Sequence, residues 1–314
     1  MNCGQDAEKT YFTKDCTLKN TKKTLAAICL AAISAEPLSA QHTNLGQIDP
    51  ATMLETYPEF GQSLQRAVVG VPAALIEGDA DFFGYYEDLA NLTFVEGATA
   101  PVVVYMHGSS SAFEEVDGVP GLKWDYAYAD WLTEAGYVFV APDAHAIGER
   151  PTYSSPVPKD VYETISAIRQ AEIAQAAAAL SQAAFLAPGE MYLLGVSEGG
   201  HAAARYSGRE FKGRMILSWS CEPGYMTDFA KVGARSGDPV LNIVGYRDFY
   251  YGRNAPFSTG YNNTGNCANY LSAGNYGHSK VVIYPTADHG ISYDQYIEGD
   301  LLGFMTYWVG RTPE

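Results

Sequence analysis

The stretch MYLLGVSEGGHAAARY, residues 191 to 206, decides the reading of the chain. An apolar run, MYLLGV, breaks at Gly195-Val-Ser197-Glu-Gly199 and gives way to an alanine-rich segment of high helix propensity. A strand that turns sharply into a helix at a serine flanked by two glycines lifts the serine hydroxyl above the edge of a sheet. The glycines allow the close backbone approach such a turn needs, and the helix behind it aims its first amides and the positive end of its dipole at the same point. With 31 glycines in 314 residues, the bare G-x-S-x-G spacing is a weak signal; its position between strand and helix makes Ser197 a candidate nucleophile.

The segments around it alternate in the same way. PVVVYM (101 to 106) is a continuous apolar, β-branched run, as a strand covered on both faces should be. NLTFV (91 to 95) reads as a second strand, pairing antiparallel with it at a sheet edge across the turn EGATA. A helix over WDYAYADWLTEAG ends at Gly136, and YVFVA (137 to 141) is the next buried strand. Asp160 is placed to N-cap a long helix, with Glu163 at the capping-box position, running to about Phe185 until APGE breaks it. Strands RMILSW, PVLNIVG and KVVIYP and a helix from about Tyr293 to Val309 complete an α/β pattern with a mostly parallel sheet and helices on both faces.

A serine hydroxyl needs a base. His289 in YPTADHGISYDQ lies between the last strand and the last helix, so its loop shares the sheet edge with Ser197. His42, His107, His201 and His278 have structural explanations, and His145 is a loop residue able to line a pocket. The acid that orients the imidazole should also follow a strand. Asp248, after PVLNIVGYR, gives the chain order Ser, Asp, His; Glu222 after ILSWSC is the rival, while Asp288 and Asp143 suit loop bracing. Donors for an oxyanion would be the amide of Glu198 and one in the HGSSS turn after PVVVYM, from Ser109 or Ser110.

In this order PVVVYMHG, AGYVFVAPDA, RQAEI, LLGVSEGG, ILSWSC, VGYRD and DHG resemble the α/β-hydrolase fold, and within it the dienelactone hydrolase-like branch, over roughly residues 90 to 310. The resemblance implies an eight-stranded type of sheet, no metal or organic cofactor, and ester hydrolysis through an acyl-enzyme. Dienelactone hydrolases proper carry cysteine at the elbow, so dienelactone does not transfer as substrate to a chain with Ser197.

The loop GYRDFYYGRNAPFSTGYNNTGNC holds Tyr246, Phe249, Tyr250, Tyr251, Phe257 and Tyr261 beside that edge. These rings form either a wall for an aryl, lipidic or polymer-derived ester or a self-packed surface loop. AHAIGERPTYSSPVP is a second rim candidate, in which Arg150 either meets an anionic substrate group or is solvated.

Lys19, Lys22 and Lys23 precede the apolar run TLAAICLAAISA, which is followed by small residues at LSA (38 to 40). This reads as an export signal cleaved near Ala40 to leave Gln41 first, with translation from Leu18 accounting for the long polar lead. Export leads to the periplasm or the medium. The expected organisation is residues 1 to 40 as lead and signal, 41 to 90 as a polar approach segment with short helical patches, and 91 to 314 as the catalytic domain. Cys3, Cys16 and Cys29 fall before the cleavage point, so Cys221 and Cys267 remain, as one disulfide or as two buried thiols. A net charge of -16 and a pI near 4.7 argue against nucleic acid or an anionic membrane as partner, since both would repel the chain.

Overall fold

The computed structural model describes residues 60–109, 113–116, 119–122, 126–148, 150–151, 157–273 and 278–309. They belong to the second of two units of the chain, Gln41–Glu314. The segment read as an export signal lies outside the described residues, as does Ser110.

The elements in order are α1 (Phe60–Gln65), β1 (Val68–Val71), β2 (Phe82–Tyr85), β3 (Ala100–Met106), β4 (Phe113–Val116), β5 (Val119–Leu122), α2 (Tyr126–Glu134) and β6 (Val138–Ala141). They continue with α3 (Lys159–Leu180), β7 (Leu186–Val196), α4 (Glu198–Arg205), β8 (Gly213–Leu217), β9 (Val240–Gly245), α5 (Ala268–Ala273), β10 (Lys280–Tyr284) and α6 (Ile297–Gly303). Eight strands form one sheet in the order β2-β1-β6-β3-β7-β8-β9-β10, while β4 and β5 make a separate hairpin. β1 runs antiparallel to both of its neighbours, and every pairing from β6 to β10 is parallel.

The central strands are buried on both faces because helices cover both. In β3, Val102, Val104 and Met106 face Ile173, Ala176, Ala177 and Leu180 of α3 and Ala202 and Ala203 of α4. The alternate residues Val103 and Tyr105 face Tyr128 and Leu132 of α2 and Leu301 of α6. All five β3 side chains are fully buried, each stabilising the fold by roughly 1.5–3 kcal/mol relative to exposure.

Three expectations are corrected. Residues 91–95 do not pair with β3: Phe94 makes one isolated bridge to Ile76, and the antiparallel edge is supplied instead by β1 and β2, from a segment read as a polar approach with short helical patches. Asp160 does not cap α3. The helix starts one residue earlier behind Pro158, with no side-chain cap, because proline supplies the extended entry, and Glu163 is engaged by Arg205 and Thr227. APGE does not separate helix from strand, since β7 already begins at Leu186 and pairs with Ala100 before its register shifts and resumes at Met191 opposite Val102. Gly189, at φ +74, takes the left-handed conformation that this excursion needs. The C-terminal helical region is also divided, into a short 3-10 turn at Ile291–Tyr293, α6, and a π turn at Phe304–Trp308.

Among the described residues, no helix is long and apolar enough to cross a membrane.

Candidate active site

Ser197 sits between β7 and α4 with φ 56 and ψ -114, a conformation that costs a non-glycine residue on the order of 1–3 kcal/mol. The surroundings hold it there. Ser197 N donates to Leu217 O of the neighbouring strand (3.0 Å), and its own carbonyl accepts from His201 N (2.9 Å). A Cβ at Gly195 would stand 2.1 Å from Gly199 O, and one at Gly199 would stand 1.8 Å from Met106 O. The two glycines therefore let the turn close on itself and press against the end of β3.

Asp248 and His289 reach the same edge from loops after β9 and β10. His289 Nε2 lies 2.8 Å from Ser197 Oγ, and His289 Nδ1 lies 2.8 Å from Asp248 Oδ2. An ionised carboxylate can only accept, so Nδ1 carries the proton and Nε2 is free to accept from the serine hydroxyl. The second carboxylate oxygen, Oδ1, accepts from Tyr250 N (2.7 Å) and Tyr251 N (2.9 Å), and the Asp248 side chain is fully buried. The imidazole remains a quarter exposed, which leaves an approach to it.

A serine after the central strand, an aspartate after the last strand but one and a histidine after the last, all at carboxyl ends of parallel strands and joined hydroxyl to imidazole to carboxylate, decide the architecture. The chain has the α/β-hydrolase fold. No family model matches the chain, and no curated protein matches it. Among solved structures it is similar to a protein of Klebsiella pneumoniae subsp. pneumoniae assigned as a dienelactone hydrolase, with 16% identity, 78% of this chain and 99% of that one covered, and a TM-score of 0.49. It is also similar to a CE1 ferulic acid esterase of the anaerobic fungus Anaeromyces mucronatus, at 17% identity, 78% and 90% coverage and a TM-score of 0.48. A third is a cold-adapted esterase from an Arctic intertidal metagenomic library, at 14%, 72% and 89%, and 0.45. The fold assignment rests on the strand order and on where Ser197, Asp248 and His289 fall along it, not on these likenesses.

The rivals for the acid position in this fold are occupied elsewhere. Glu222 accepts from Thr264 N (2.6 Å), Thr264 Oγ1 (2.8 Å) and Gly265 N (2.8 Å), clamping the far end of the loop that follows Asp248. Asp288 Oδ1 accepts from Gly290 N (2.9 Å), two residues on. Asp143 caps the short turn at Ala144–Ala146 through His145 N.

On the oxyanion side, Glu198 is the first residue of α4, so its amide has no partner within the helix. The turn after β3, with Ser109 in it, abuts the start of α4: a Cβ on Gly199 would also meet His107 O at 2.8 Å. His107 is a strut, as its HG setting suggested. Its Nδ1 donates to Gly108 O (2.7 Å) and its Nε2 accepts from Ala144 N (3.2 Å), which requires the neutral ring. Burial first, and Arg169 second, hold its pKa well below the usual histidine value.

Arg150 is corrected as a contact for an anionic substrate. Its side chain is 2% exposed and ion-paired with Glu198, because the carboxylate after the nucleophile is itself buried and needs a cation. His145 remains at the surface, its ring 5.3 Å from that of His107. Partial burial, then Arg150 and Arg169, lower its pKa to about 4.

The aromatic loop is partly a wall and partly surface. Tyr250 packs edge-on against His289 (centroids 4.7 Å apart) and stacks on Phe257 (5.4 Å, 6°), while Phe249 stands edge-on to both. Phe249 is 54% exposed and Tyr246 58%. Tyr250 and Tyr251 line a shallow crevice together with Trp219, Tyr225, Met226 and Phe257. Cys221 and Cys267 are bonded, with their Cα atoms 4.9 Å apart.

Sequence reasoning missed Ser218. At φ 50, it donates from Oγ to His289 O (2.8 Å) and thereby fixes the histidine loop; a serine ending an apolar strand was the only available sign. It also missed the buried charges around Arg169, whose signal was an Arg and a Glu three residues apart in an otherwise alanine-rich helix.

Proposed function

We propose that this protein is an exported serine hydrolase of carboxylic esters. The observation that carries the reading is the unbroken chain Ser197 Oγ, His289 Nε2, His289 Nδ1, Asp248 Oδ2, with both hydrogen-bonded separations at 2.8 Å. In this reading Ser197 Oγ attacks the ester carbonyl while His289 takes the hydroxyl proton, and Asp248 holds the imidazole and stabilises its charge. The carbonyl oxygen becomes an oxyanion facing the amide of Glu198 and an amide of the HGSSS turn, at Ser109 or Ser110. Collapse of the tetrahedral intermediate breaks the C–O bond of the alcohol, which leaves with the proton from His289. Water then attacks the acyl-serine with His289 again as base, releasing the acid and restoring the hydroxyl.

Export rests on the basic and apolar lead over residues 19 to 40 and is supported by the disulfide, a bond that persists in oxidising compartments. The rings of Phe249, Tyr250 and Phe257 favour a second, narrower reading, an aryl or polyester substrate, because they offer flat apolar surface next to the general base. Ester hydrolysis also distinguishes the protein from a binding protein of the same fold, in which nothing would maintain the hydrogen-bonded triad.

The test is intact mass after treatment with a fluorophosphonate, alongside Ser197→Ala. One adduct on the parent and none on the variant, with ester turnover reduced about 10⁴-fold or more in the variant, is the expected result. A folded parent that takes no label would remove the enzymatic reading. Turnover of a soluble polyester oligomer compared with a short p-nitrophenyl ester separates the two substrate readings.

A further inference from the structure

Both arms of the oxyanion site meet at one side chain. Arg169, in the middle of α3, is fully buried. Its Nη2 donates to His107 O (3.1 Å), and its Nη1 lies 3.2 Å from the imidazole Nε2 of the same residue, sharing that acceptor with Ala144 N. Its Nε lies 3.6 Å from Glu198 Oε1, and its Nη1 lies 3.0 Å from Glu172 Oε2. His107 opens the turn that carries Ser109, and Glu198 carries the amide next to the nucleophile. One planar guanidinium thus holds the turn after β3 by a hydrogen bond to its backbone and faces the start of α4 through the charge of Glu198, 3.6 Å away and without a hydrogen bond.

We propose that Arg169 is a positioning residue for the oxyanion hole: it sets the spacing between the amide of Glu198 and the start of the turn after β3, His107 to Ser109. The role rests on the ester-hydrolase reading above. The assignment follows from shape as well as charge. A guanidinium presents five donors in a fixed fork, whereas an ammonium offers a single point charge. Lysine at this position can neutralise Glu172 or Glu198 but cannot span His107 and both carboxylates at once. Arg150 already pairs with Glu198, so charge balance at that carboxylate does not by itself call for Arg169. Glu172 and Ser63 complete the mounting: Ser63 Oγ donates to Glu172, and Asp143 N donates to Ser63 O (2.9 Å), anchoring the guanidinium to α1 and to the loop after β6.

Transition-state stabilisation is sensitive to such spacing, since a displacement of about 1 Å can cost on the order of 100-fold, and losing one donor costs roughly 100- to 1,000-fold in kcat. Ground-state binding of the ester is not. The role therefore predicts a specific split between kcat and KM.

The experiment compares the parent with Arg169→Lys and Arg169→Gln in the full chain. It reads kcat and KM for a p-nitrophenyl ester, Ki for an arylboronic acid that forms a tetrahedral serine adduct, and thermal unfolding. For Arg169→Lys the expected result is kcat reduced roughly 10- to 100-fold, boronate binding weakened by a similar factor, and KM within about twofold. The shape of the pH profile of kcat/KM stays in place. Arg169→Gln, which keeps donors but loses the fork, should fall further.

A folded Arg169→Lys variant with parental kcat and Ki overturns the role, as does a loss of kcat with no matching loss of boronate affinity. If both variants fail to fold, Glu172→Gln replaces them: it leaves the guanidinium in place but slackens its mounting, and an unchanged Ki in that variant overturns the role. A parent with no ester turnover and no boronate adduct would instead defeat the functional reading and this role with it, whereas the outcomes above defeat the role alone.

Discussion

The elbow at Ser197 and the loop after Asp248 supply neighbouring parts of one site, but they are held in opposite ways. Around Ser197, backbone is pressed on backbone: Cβ atoms on Gly195, Gly199 and Gly200 would fall 2.1, 1.8 and 2.5 Å from carbonyl oxygens, and Glu198 is buried and ion-paired. Around Asp248, the anchors are two amide hydrogen bonds, ring stacking and a disulfide, and the outermost rings are more than half exposed. The first arrangement leaves no room for a substituent. The second leaves surface that can change without moving the chemistry. Under the proposed function this divides the labour: the nucleophile sits on a turn pressed between rigid elements, and selectivity falls to a tethered loop.

The sharpest way to break the contrast is Gly199→Ala. The new methyl would have to displace Met106 O, a backbone atom in a strand whose side chains are fully buried, so no side chain can simply give way. A loss of about 3 kcal/mol or more is expected from this overpacking, with kcat reduced at least about 100-fold because the Glu198 amide moves. Urea unfolding and ester kinetics on the same sample check it. A variant with parental stability would mean that the elbow is far looser than its geometry implies.

Next comes the loop. Cys221 and Cys267 close 46 residues of sequence, which in the chain-entropy account is worth on the order of 4 kcal/mol. Replacing both with serine should lower the midpoint of unfolding substantially, while the folded variant at low temperature still labels with fluorophosphonate, because Asp248, the one triad member inside the bridged segment, keeps its hydrogen bonds to Tyr250 N, Tyr251 N and His289. Loss of labelling in the folded double variant would show that the elbow and the loop are not separable.

Acid should act on the elbow side. His107, His145 and His201 all have pKa values lowered by burial first, then by neighbouring arginines. Their neutral forms are favoured in the fold, while in the unfolded chain they protonate near pH 6.5. The unfolded state therefore binds more protons below that pH, and stability falls as pH drops from about 6.5, through about 4 for His145 and further for the two buried rings. His201 is stacked on Tyr162 (4.9 Å) and lies beside Trp219 (4.4 Å), with Arg205 as its charged neighbour. His201→Phe keeps an aromatic ring in that box without a titrating group, so its Tm should fall less between pH 7 and pH 4.5 than that of the parent. Equal slopes would assign the acid sensitivity elsewhere.

The contrast also explains what could be read from sequence. Ser197, Asp248 and His289 were legible because each follows an apolar β-branched strand, and strand ends at a parallel sheet's carboxyl edge converge. The first two strands were not, since VVGV (68 to 71) is only four residues long and FFGY (82 to 85) is set among acidic and turn residues. NLTFV had the composition of a strand, yet composition cannot say that Phe94 finds a single bridging partner in Ile76. Arg150 was misread because a loop arginine is usually solvated, and nothing local announces that a carboxylate 48 residues away is buried and waiting for it. Contacts that are distant in sequence and polar in character, such as those of Arg169, have no periodic signature to betray them.

The smallest effect is the most informative about substrate. Phe249 is 54% exposed and touches the site only through the edges of Tyr250 and Phe257. Phe249→Ala should lower Tm by no more than a few °C, because the residue is already 54% exposed. Turnover of a p-nitrophenyl acetate-sized ester should also be unchanged. If the rings receive an aryl or polyester group, losing one aromatic contact worth about 0.5–1.5 kcal/mol raises KM several-fold for that class alone, with kcat preserved, since Tyr250 still backs His289 (4.7 Å). A uniform effect on both ester classes would mean that Phe249 shapes the loop rather than the substrate, and no effect on either would place the acyl and alcohol groups away from this face, toward His145.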